Sequence, residues 1–184
     1  AQNPVVKAVE KAGPAVVNIS TEKVAVLRGD PFGLRRKYPN DRAMEEFWKM
    51  FPQGRQVRTK SLGSGVIVHR RGYIVTNAHV VRRATRIHVL MHDRSMYEGA
   101  LISAAPRRDL ALIKIGRAPG KSAEFPTVEM RSSRDLHIGE TVIAMGNPFG
   151  YSNTVTTGVL SAKDRNIRLK EGLTFRGLLQ TDAS

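Results

Sequence analysis

The feature that most constrains the fold of this chain is a succession of short apolar runs rich in β-branched residues. Some of these runs are apolar throughout, and in others apolar and polar side chains alternate, as they do along a strand with one buried face. Glycine, proline and polar residues separate the runs at short intervals, which indicates an all-β barrel or sandwich. The predicted strands are residues 15–26, 65–69, 73–76, 86–91, 110–115, 141–145 and 154–162.

The beginning of the chain departs from this β pattern. Asn3 and Pro4 are typical of a helix N-cap and first helical position, and Gly13 is typical of the residue that follows a helix. Between them apolar residues recur at helical spacing. The sequence therefore predicts one short N-terminal helix ahead of the strands.

Residues 27–61 form a long stretch that is too polar and irregular to read as a strand. An insertion of this length is usually functional or mobile rather than a plain connector. Residues 116–124 have the composition of a linker between two halves of the chain. Within residues 27–61, four large apolar side chains are spaced so that they could share one face of a short helix, namely Met44, Phe47, Trp48 and Phe51.

A histidine and an aspartate occupy positions that suit catalysis. His79 follows the predicted strand 73–76, and Asp109 stands immediately before the apolar strand 110–115. A carboxylate there is partly desolvated, which is costly unless a partner donates hydrogen bonds to it. An imidazole N–H is such a donor, and the bond would turn the other ring nitrogen toward a serine hydroxyl.

Six short motifs occur in a fixed order along the chain. They are residues 63–67 (GSGVI), 72–81 (GYIVTNAHVV), 109–114 (DLALIK), 146–150 (GNPFG), 157–162 (TGVLSA) and 179–183 (LQTDA). Together they resemble the HtrA/Deg (DegP/DegQ-like) serine endoproteases, and the likeness runs from about Pro4 to the last residue. The histidine precedes the aspartate by 109 − 79 = 30 residues. That order is the one found in the chymotrypsin-like triad, whose serine comes last.

The resemblance implies a chymotrypsin/trypsin-like double antiparallel β-barrel with a short N-terminal helix and an active site between the barrels. Residues 1–120 would form the helix and the first barrel with its long loop 27–61. Residues 121–184 would begin a second barrel that is truncated before the catalytic serine. The implied reaction is peptide hydrolysis, with His79 as general base and then general acid and with Asp109 orienting it. This chemistry needs no metal or other cofactor.

In the family the nucleophilic serine lies in a Gly-Asn-Ser-Gly-Gly motif a few residues after Gln-Thr-Asp-Ala. The sequence stops at Ser184, before that motif, so the chain as given is expected to be inactive. The absent segment would also supply the oxyanion-hole N–H groups. Ser64 precedes His79, the wrong order for this family, and Ser184 lies upstream of the family's nucleophile, so neither is expected to be the nucleophile.

The resemblance also implies partners and a compartment. Relatives degrade unfolded or damaged proteins in protein quality control and stress response, in the periplasm or another exported compartment. Loop 27–61 would mediate a homotrimer or a multiple of trimers, and a PDZ domain is expected downstream. Residues 164–177 match the loop that relays activation signals, in which Arg165 would help to order the catalytic loops. The family often has Asp-Pro where this chain has Ala105-Pro106, which alters a turn and leaves the proposed triad intact.

Two other classes of function stay open. One is a non-catalytic chaperone or substrate-binding module with the same fold. The other is a nucleic-acid or anionic-surface binder, because 30 Lys and Arg against 16 Asp and Glu give a net charge of +14. The arginines, however, occur in scattered pairs without interleaved aromatic residues, which disfavours nucleic acid as the main partner.

Other sequence features bear on metals, disulfides and membranes. His88 and His92 are four residues apart and beside Asp93, but the alternation around His88 predicts a partly exposed edge strand rather than a metal site. The absence of cysteine excludes disulfides and thiolate metal sites. No apolar run reaches the length of a membrane span.

Overall fold

The computed structural model describes residues 3–27, 55–116, 124–146, 154–168 and 174–183. Most of the predicted linker and the side chains of Met44, Phe47, Trp48 and Phe51 lie outside these residues. The elements, in chain order, are helix α1 (Pro4–Ala12), a 3₁₀ turn (Gly13–Ala15), β1 (Val16–Leu27), β2 (Arg55–His69), β3 (Tyr73–Thr76), helix α2 (Ala78–Val81), β4 (Arg86–Leu90), β5 (Met96–Ala105), a 3₁₀ turn (Pro106–Arg108), β6 (Leu110–Ile115), β7 (Thr141–Gly146), β8 (Thr154–Arg168) and β9 (Thr174–Thr181).

The N-terminal helix is confirmed with the predicted cap. The side chain of Asn3 accepts a hydrogen bond from the backbone N–H of Val5 at 2.9 Å, and Pro4 occupies the first turn, where no N–H is required. No helix within the described part of the chain is long and apolar enough to cross a membrane.

Strands β1 to β6 form a closed antiparallel barrel in the order β1-β2-β3-β6-β5-β4. The barrel closes because β1 pairs with β2 along one side, from Val16↔Val66 to Leu27↔Arg55, and with β4 along the other. Closure leaves no unpaired sheet edge in this part of the molecule. Alternate residues of most of these strands point inward, and the least exposed apolar ones, at 1% or less, are Val17, Ile19, Ile67, Ile74, Val89, Ile113 and Ile115.

The turn between β2 and β3 shows why a glycine is needed there. Gly72 has φ +86, and a methyl group on its Cα would lie 2.7 Å from the carbonyl oxygen of Ile115. Its N–H donates to the oxygen of His69 at 2.8 Å, which closes the turn, while its own oxygen accepts from the N–H of Ile115 at 2.9 Å. The turn therefore fixes the register of β3 against β6, and with it the point where β3 ends.

The remaining strands form a three-stranded antiparallel sheet in the order β7-β8-β9. Strand β7 contacts β1 and β2, and β9 contacts the Pro106–Arg108 turn of the barrel. At the first contact, a methyl group placed on Gly146 would lie 3.2 Å from Oγ of Ser64. The sheet thus lies along the side of the barrel on which β1 and β2 run, and it reaches the turn that precedes β6.

The structure corrects several sequence predictions. Residues 55–61 were predicted to belong to the irregular stretch 27–61, but they form the first half of β2 and pair with residues 21–27 of β1. A backbone hydrogen-bond ladder can hold such a strand without a buried apolar face, so its polar composition was misleading. The whole of β5 was also missed, because Gly99 and several alanines give it a weak strand signature and most of its side chains are exposed.

Two further predictions were wrong. Residues 164–177 were predicted to be a loop, yet β8 continues to Arg168 and β9 begins at Thr174. Strand β4 was predicted to be an edge, but His88 pairs with Ser20 on one side and Glu98 on the other. Barrel closure, which depends on pairing between distant segments, removes that edge.

Candidate catalytic site

Helix α2 is a single turn that follows β3 and carries His79 at its exposed side. Ala78, Val80 and Val81 are buried and hold the turn against the barrel core. The hydroxyl of Thr21, a fully buried residue of β1, donates a hydrogen bond to the carbonyl oxygen of Val80 at 3.1 Å. The backbone of α2 is therefore fixed on the side that faces the barrel core, while 68% of the His79 side-chain surface remains accessible.

Asp109 is held between the Pro106–Arg108 turn and the start of β6. Its backbone adopts φ 51 and ψ 40, the left-handed region, which Asp tolerates better than most residues. The N–H of Asp109 donates to the oxygen of Pro106 at 3.2 Å, and its own carbonyl oxygen accepts from the N–H of Ala78 at 3.1 Å. The unusual conformation therefore couples the backbone before β6 directly to α2.

Both oxygens of the Asp109 carboxylate face His79. Nδ1 of His79 lies 2.7 Å from Oδ2, and the backbone N–H of His79 donates to Oδ1 at 2.9 Å. Two bonds to one carboxylate fix the ring as well as the backbone of the histidine. With the proton on Nδ1, Nε2 is unprotonated and able to accept a proton from a hydroxyl. The predicted contact between these two side chains is confirmed.

Asn77 is a site residue for which the sequence predicted no role. Its Nδ2 donates to Oδ2 of Asp109 at 3.2 Å and to the carbonyl oxygen of Asp109 at the same distance. Asn77 thereby ties the carboxylate to the backbone on which it stands. The sequence indicated Asn77 only through its position between β3 and α2. An amide side chain at such a position has backbone and side-chain hydrogen-bond partners within reach.

The carboxylate of Asp109 is stabilised in its charged form. Partial burial by itself would raise the pKa of Asp109, but the hydrogen bonds from the backbone and ring of His79, together with that ring's charge and the amide of Asn77, hold the pKa below its usual range. The carboxylate is therefore ionised at neutral pH. An ionised carboxylate beside Nδ1 stabilises an imidazolium, which is the form a general base takes after it has accepted a proton.

Two other residues considered from the sequence, Arg165 and Ser64, lie in strands. Arg165 is an exposed residue of β8, and its Nε donates to Oε1 of Gln180 on β9 at 3.2 Å. Ser64 lies in β2 opposite Asn18, and its carbonyl oxygen accepts from the hydroxyl of Thr76 at 2.7 Å. Ser184 lies outside the described residues. Among the residues that the structure describes, no group of three or more His, Cys, Asp or Glu side chains is arranged to hold a metal ion.

The end of β9 docks on β8 through a contact that the sequence did not reveal. Oδ1 of Asp182 accepts a hydrogen bond from the backbone N–H of Val159 at 2.7 Å. A methyl group on Gly158 would lie 2.5 Å from the backbone nitrogen of Ala183 and would overlap the Asp182 carboxylate. The 157–162 and 179–183 motifs therefore form one unit, in which Gly158 leaves room for the chain that crosses it.

Comparisons with known proteins agree with the fold. Residues 63–184 match the family described as "Trypsin-like peptidase domain". The chain is 40% identical over 185 residues to a probable periplasmic serine endoprotease DegP-like from Marinomonas sp., and 43% identical over 188 residues to a protein of the same name from Ectopseudomonas mendocina. These matches cover 96% of this chain but only 38% and 37% of the two relatives.

A solved structure is also similar over almost the whole chain. It is an HtrA-type protease, AlgW, determined with a decapeptide, and it superposes with a TM-score of 0.76 at 31% sequence identity. The match covers 98% of this chain and 51% of that one. The all-β, trypsin-like fold class predicted from the sequence is confirmed by this likeness and by the closed barrel.

Proposed function

The chain belongs to the trypsin-like peptidase domain family, in its HtrA/DegP-like branch, and from this we propose that it supplies the histidine and aspartate of a serine endopeptidase. The observation that carries the proposal is the double hydrogen bond between His79 and Asp109, with Nδ1 to Oδ2 at 2.7 Å and N–H to Oδ1 at 2.9 Å. A carboxylate that contacts both the ring and the backbone of one histidine serves to orient that ring.

In the proposed reaction, Nε2 of His79 removes the proton from a serine hydroxyl as its oxygen attacks the substrate carbonyl carbon. Asp109 stabilises the imidazolium that results, and it stays ionised because its pKa is lowered by the hydrogen bonds it accepts. The imidazolium then gives the proton to the leaving amine, and an acyl-enzyme remains. Water, activated by the same nitrogen, attacks the acyl carbon and releases the acid product.

We place the nucleophilic serine beyond Ser184, in the segment that follows the 179–183 motif in the family. The chain spans less than two fifths of the length of the curated relatives that it matches, which leaves room for that segment in a longer protein. The hydrogen bond from the backbone N–H of Val159 to Asp182 holds the end of β9 on β8, so the proposed segment would begin from a fixed position. Arg165 keeps its proposed role in ordering the catalytic loops, through its bond to Gln180.

Further parts of the proposal concern the whole protein. The two relatives are named periplasmic, and we propose a periplasmic or otherwise exported location for this chain as well. The proposed substrates are unfolded or damaged polypeptides, in protein quality control. The proposed assembly is a homotrimer or a multiple of trimers, with a PDZ domain downstream of the peptidase domain.

The experiment compares three proteins on casein: the chain ending at Ser184, a version extended through the following segment, and the extended version with His79→Ala. We expect turnover by the extended version alone, because removal of a triad member costs several orders of magnitude in rate. Turnover by the chain ending at Ser184, abolished by His79→Ala, would show that the serine has been misplaced. An extended version that binds unfolded polypeptide but never cleaves it would favour the non-catalytic module instead.

A further inference from the structure

Two pairs of arginines flank the candidate catalytic pair. Arg82 and Arg83 follow helix α2, three and four residues after His79, and Arg107 and Arg108 stand immediately before Asp109. Because consecutive Cα atoms are about 3.8 Å apart, the Cα atoms of Arg107 and Arg108 lie within about 8 Å of that of Asp109. We call these four residues the arginine rim.

The backbone of the rim is fixed in both turns. The N–H of Ala84 donates to the oxygen of Val81 at 3.1 Å and so closes the turn that contains the first pair. The second pair lies in the 3₁₀ turn that the Asp109 N–H closes on Pro106. Strand β9 contacts this second turn, which places it at the junction of the barrel and the three-stranded sheet. The rim charges are therefore presented from ordered backbone beside the site.

Arg83 is held in a backbone conformation that a long side chain seldom adopts. Its φ is +59, in the left-handed region that glycine and asparagine occupy at lower cost. An unfavourable conformation retained next to an active site is a reason to look for a function of the side chain. Here the side chain in question adds a permanent positive charge a few residues from His79.

The rim charges are uncompensated in the described part of the molecule. All four residues are exposed, and no carboxylate of the described residues forms an ion pair with any of them. By contrast, Arg70 pairs with Glu124 at 3.2 Å and Arg131 with Glu129 at 2.9 Å. The carboxylate nearest in sequence, that of Asp109, is engaged by His79 and Asn77. At physiological salt the charges act over about 8 Å, which is enough to bias what enters the site.

We propose that the arginine rim makes the site selective for polypeptide segments that carry aspartate or glutamate near the bond to be cleaved. This inference rests on the proposed peptidase function. The planar guanidinium group matches a carboxylate in a bidentate geometry. A nucleic acid is the less suitable anion, because residues 76–86 and 105–111 contain no Phe, Tyr or Trp on which a base could stack.

The test measures peptide binding rather than cleavage. It uses the full-length protein that carries this chain, with His79→Ala so that peptides remain intact, and two fluorescein-labelled unstructured peptides that differ only in four Glu to Gln replacements. We expect the Glu peptide to bind at least about fivefold more tightly in low salt, and this preference to vanish in high salt. Arg82→Gln/Arg83→Gln and Arg107→Gln/Arg108→Gln should each weaken its binding at least about threefold.

The matched control is Arg70→Gln/Arg71→Gln, which removes the same charge from the opposite end of β3 and should leave Glu-peptide binding unchanged. Arg82→Lys/Arg83→Lys keeps the charge but loses the planar fork, so it should bind the Glu peptide more weakly than wild type and more tightly than Arg82→Gln/Arg83→Gln. An unfolding midpoint of the Gln variants equal to that of wild type excludes misfolding as the cause. Equal affinity for both peptides, or an equal loss in the control variant, would overturn the proposal. Tighter binding of a twelve-nucleotide oligodeoxyadenylate than of the Glu peptide would overturn the choice of a polypeptide.

The outcome is separable from that of the proposed peptidase function. The readout of this test is binding. If the protein with His79 intact has no peptidase activity while the His79→Ala protein still prefers the Glu peptide, the proposed peptidase function is refuted and an acidic-segment binding site remains. An active protease with His79 intact that cleaves the Glu and Gln peptides at equal rates would refute the rim's selectivity alone.

Discussion

At the scale of single residues, Asp109 connects most of the site. It accepts hydrogen bonds from the ring and the backbone of His79, takes one from Asn77, and receives the N–H of Ala78 on its carbonyl oxygen. The left-handed backbone at Asp109 is what brings the carboxylate and the carbonyl oxygen toward the same short helix. Removing this one side chain therefore affects stability as well as the proposed catalysis.

The stability of the fold should depend on pH through Asp109. The pKa of Asp109 is lower in the folded chain than its ordinary value, so the folded state binds fewer protons than the unfolded state. The contribution of Asp109 to the free energy of unfolding is therefore fully present above its pKa in the unfolded chain, about 4. It is lost as the pH falls through its pKa in the folded chain. We expect the difference in unfolding free energy between wild type and Asp109→Asn, measured in urea, to be larger at pH 6 than at pH 3. A difference that grows on acidification would contradict the hydrogen-bond account.

The sequence predicted the two principal site residues but not their supporting partners. His79 and Asp109 were identified because the motifs that contain them resemble those of the HtrA/Deg family, and because His79 follows one predicted strand and Asp109 directly precedes another. Asn77 and Thr21 were not, because their roles depend on which strand end meets which backbone carbonyl. Contacts of that kind are set by tertiary packing, and neither periodicity nor composition encodes them.

At the scale of elements, strands with a buried face were predicted well and exposed ones poorly. Strands β3, β4 and β6 bury every second residue, and their apolar or alternating runs were found within a residue of their ends. Strands β5 and β9 were missed because most of their side chains are exposed, and they are held mainly by hydrogen bonds to neighbours far away in the sequence. An apolar pattern in the sequence indicates a buried face, so it identifies the strands that have such a face and misses those that do not.

The contact between β8 and the end of β9 can be tested with one methyl group. Gly158→Ala would place that methyl 2.5 Å from the backbone nitrogen of Ala183, and backbone cannot move aside as a flexible side chain can. We expect a loss of about 1–3 kcal/mol in the free energy of unfolding, from thermal or urea denaturation. Gly116→Ala is the control, since no residue that the structure describes lies within 4 Å of its added methyl. Equal effects of the two substitutions would show that the Asp182–Ala183 segment is not packed on β8.

At the scale of the whole molecule, the barrel and the three-stranded sheet differ in how they are stabilised. Almost all of the strongly buried apolar residues lie in the barrel or pack against it, including Phe125, whereas β7 to β9 contribute Leu160. Large apolar side chains are exposed in both parts, among them Leu101 and Ile102 in the barrel and Ile167 and Leu179 in the sheet. The barrel therefore has the more complete core, and the described sheet depends more on its edge contacts with β1, β2 and the Pro106–Arg108 turn.

Self-association through the 27–61 stretch remains a prediction from the sequence. Phe47, Trp48 and Phe51 are three large apolar side chains within five positions of an otherwise polar insertion. Each would remove about 150–250 Å² from water if buried, so their exposure in a lone molecule would be costly. We expect a trimer or a multiple of it by sedimentation equilibrium, and dissociation by Phe47→Ser/Trp48→Ser/Phe51→Ser. The competing arrangement, in which a monomer buries these side chains against its own barrel, predicts a monomeric wild type at tens of micromolar and lower stability in the triple variant. A triple variant that assembles as well as wild type would show that other residues form the subunit contact.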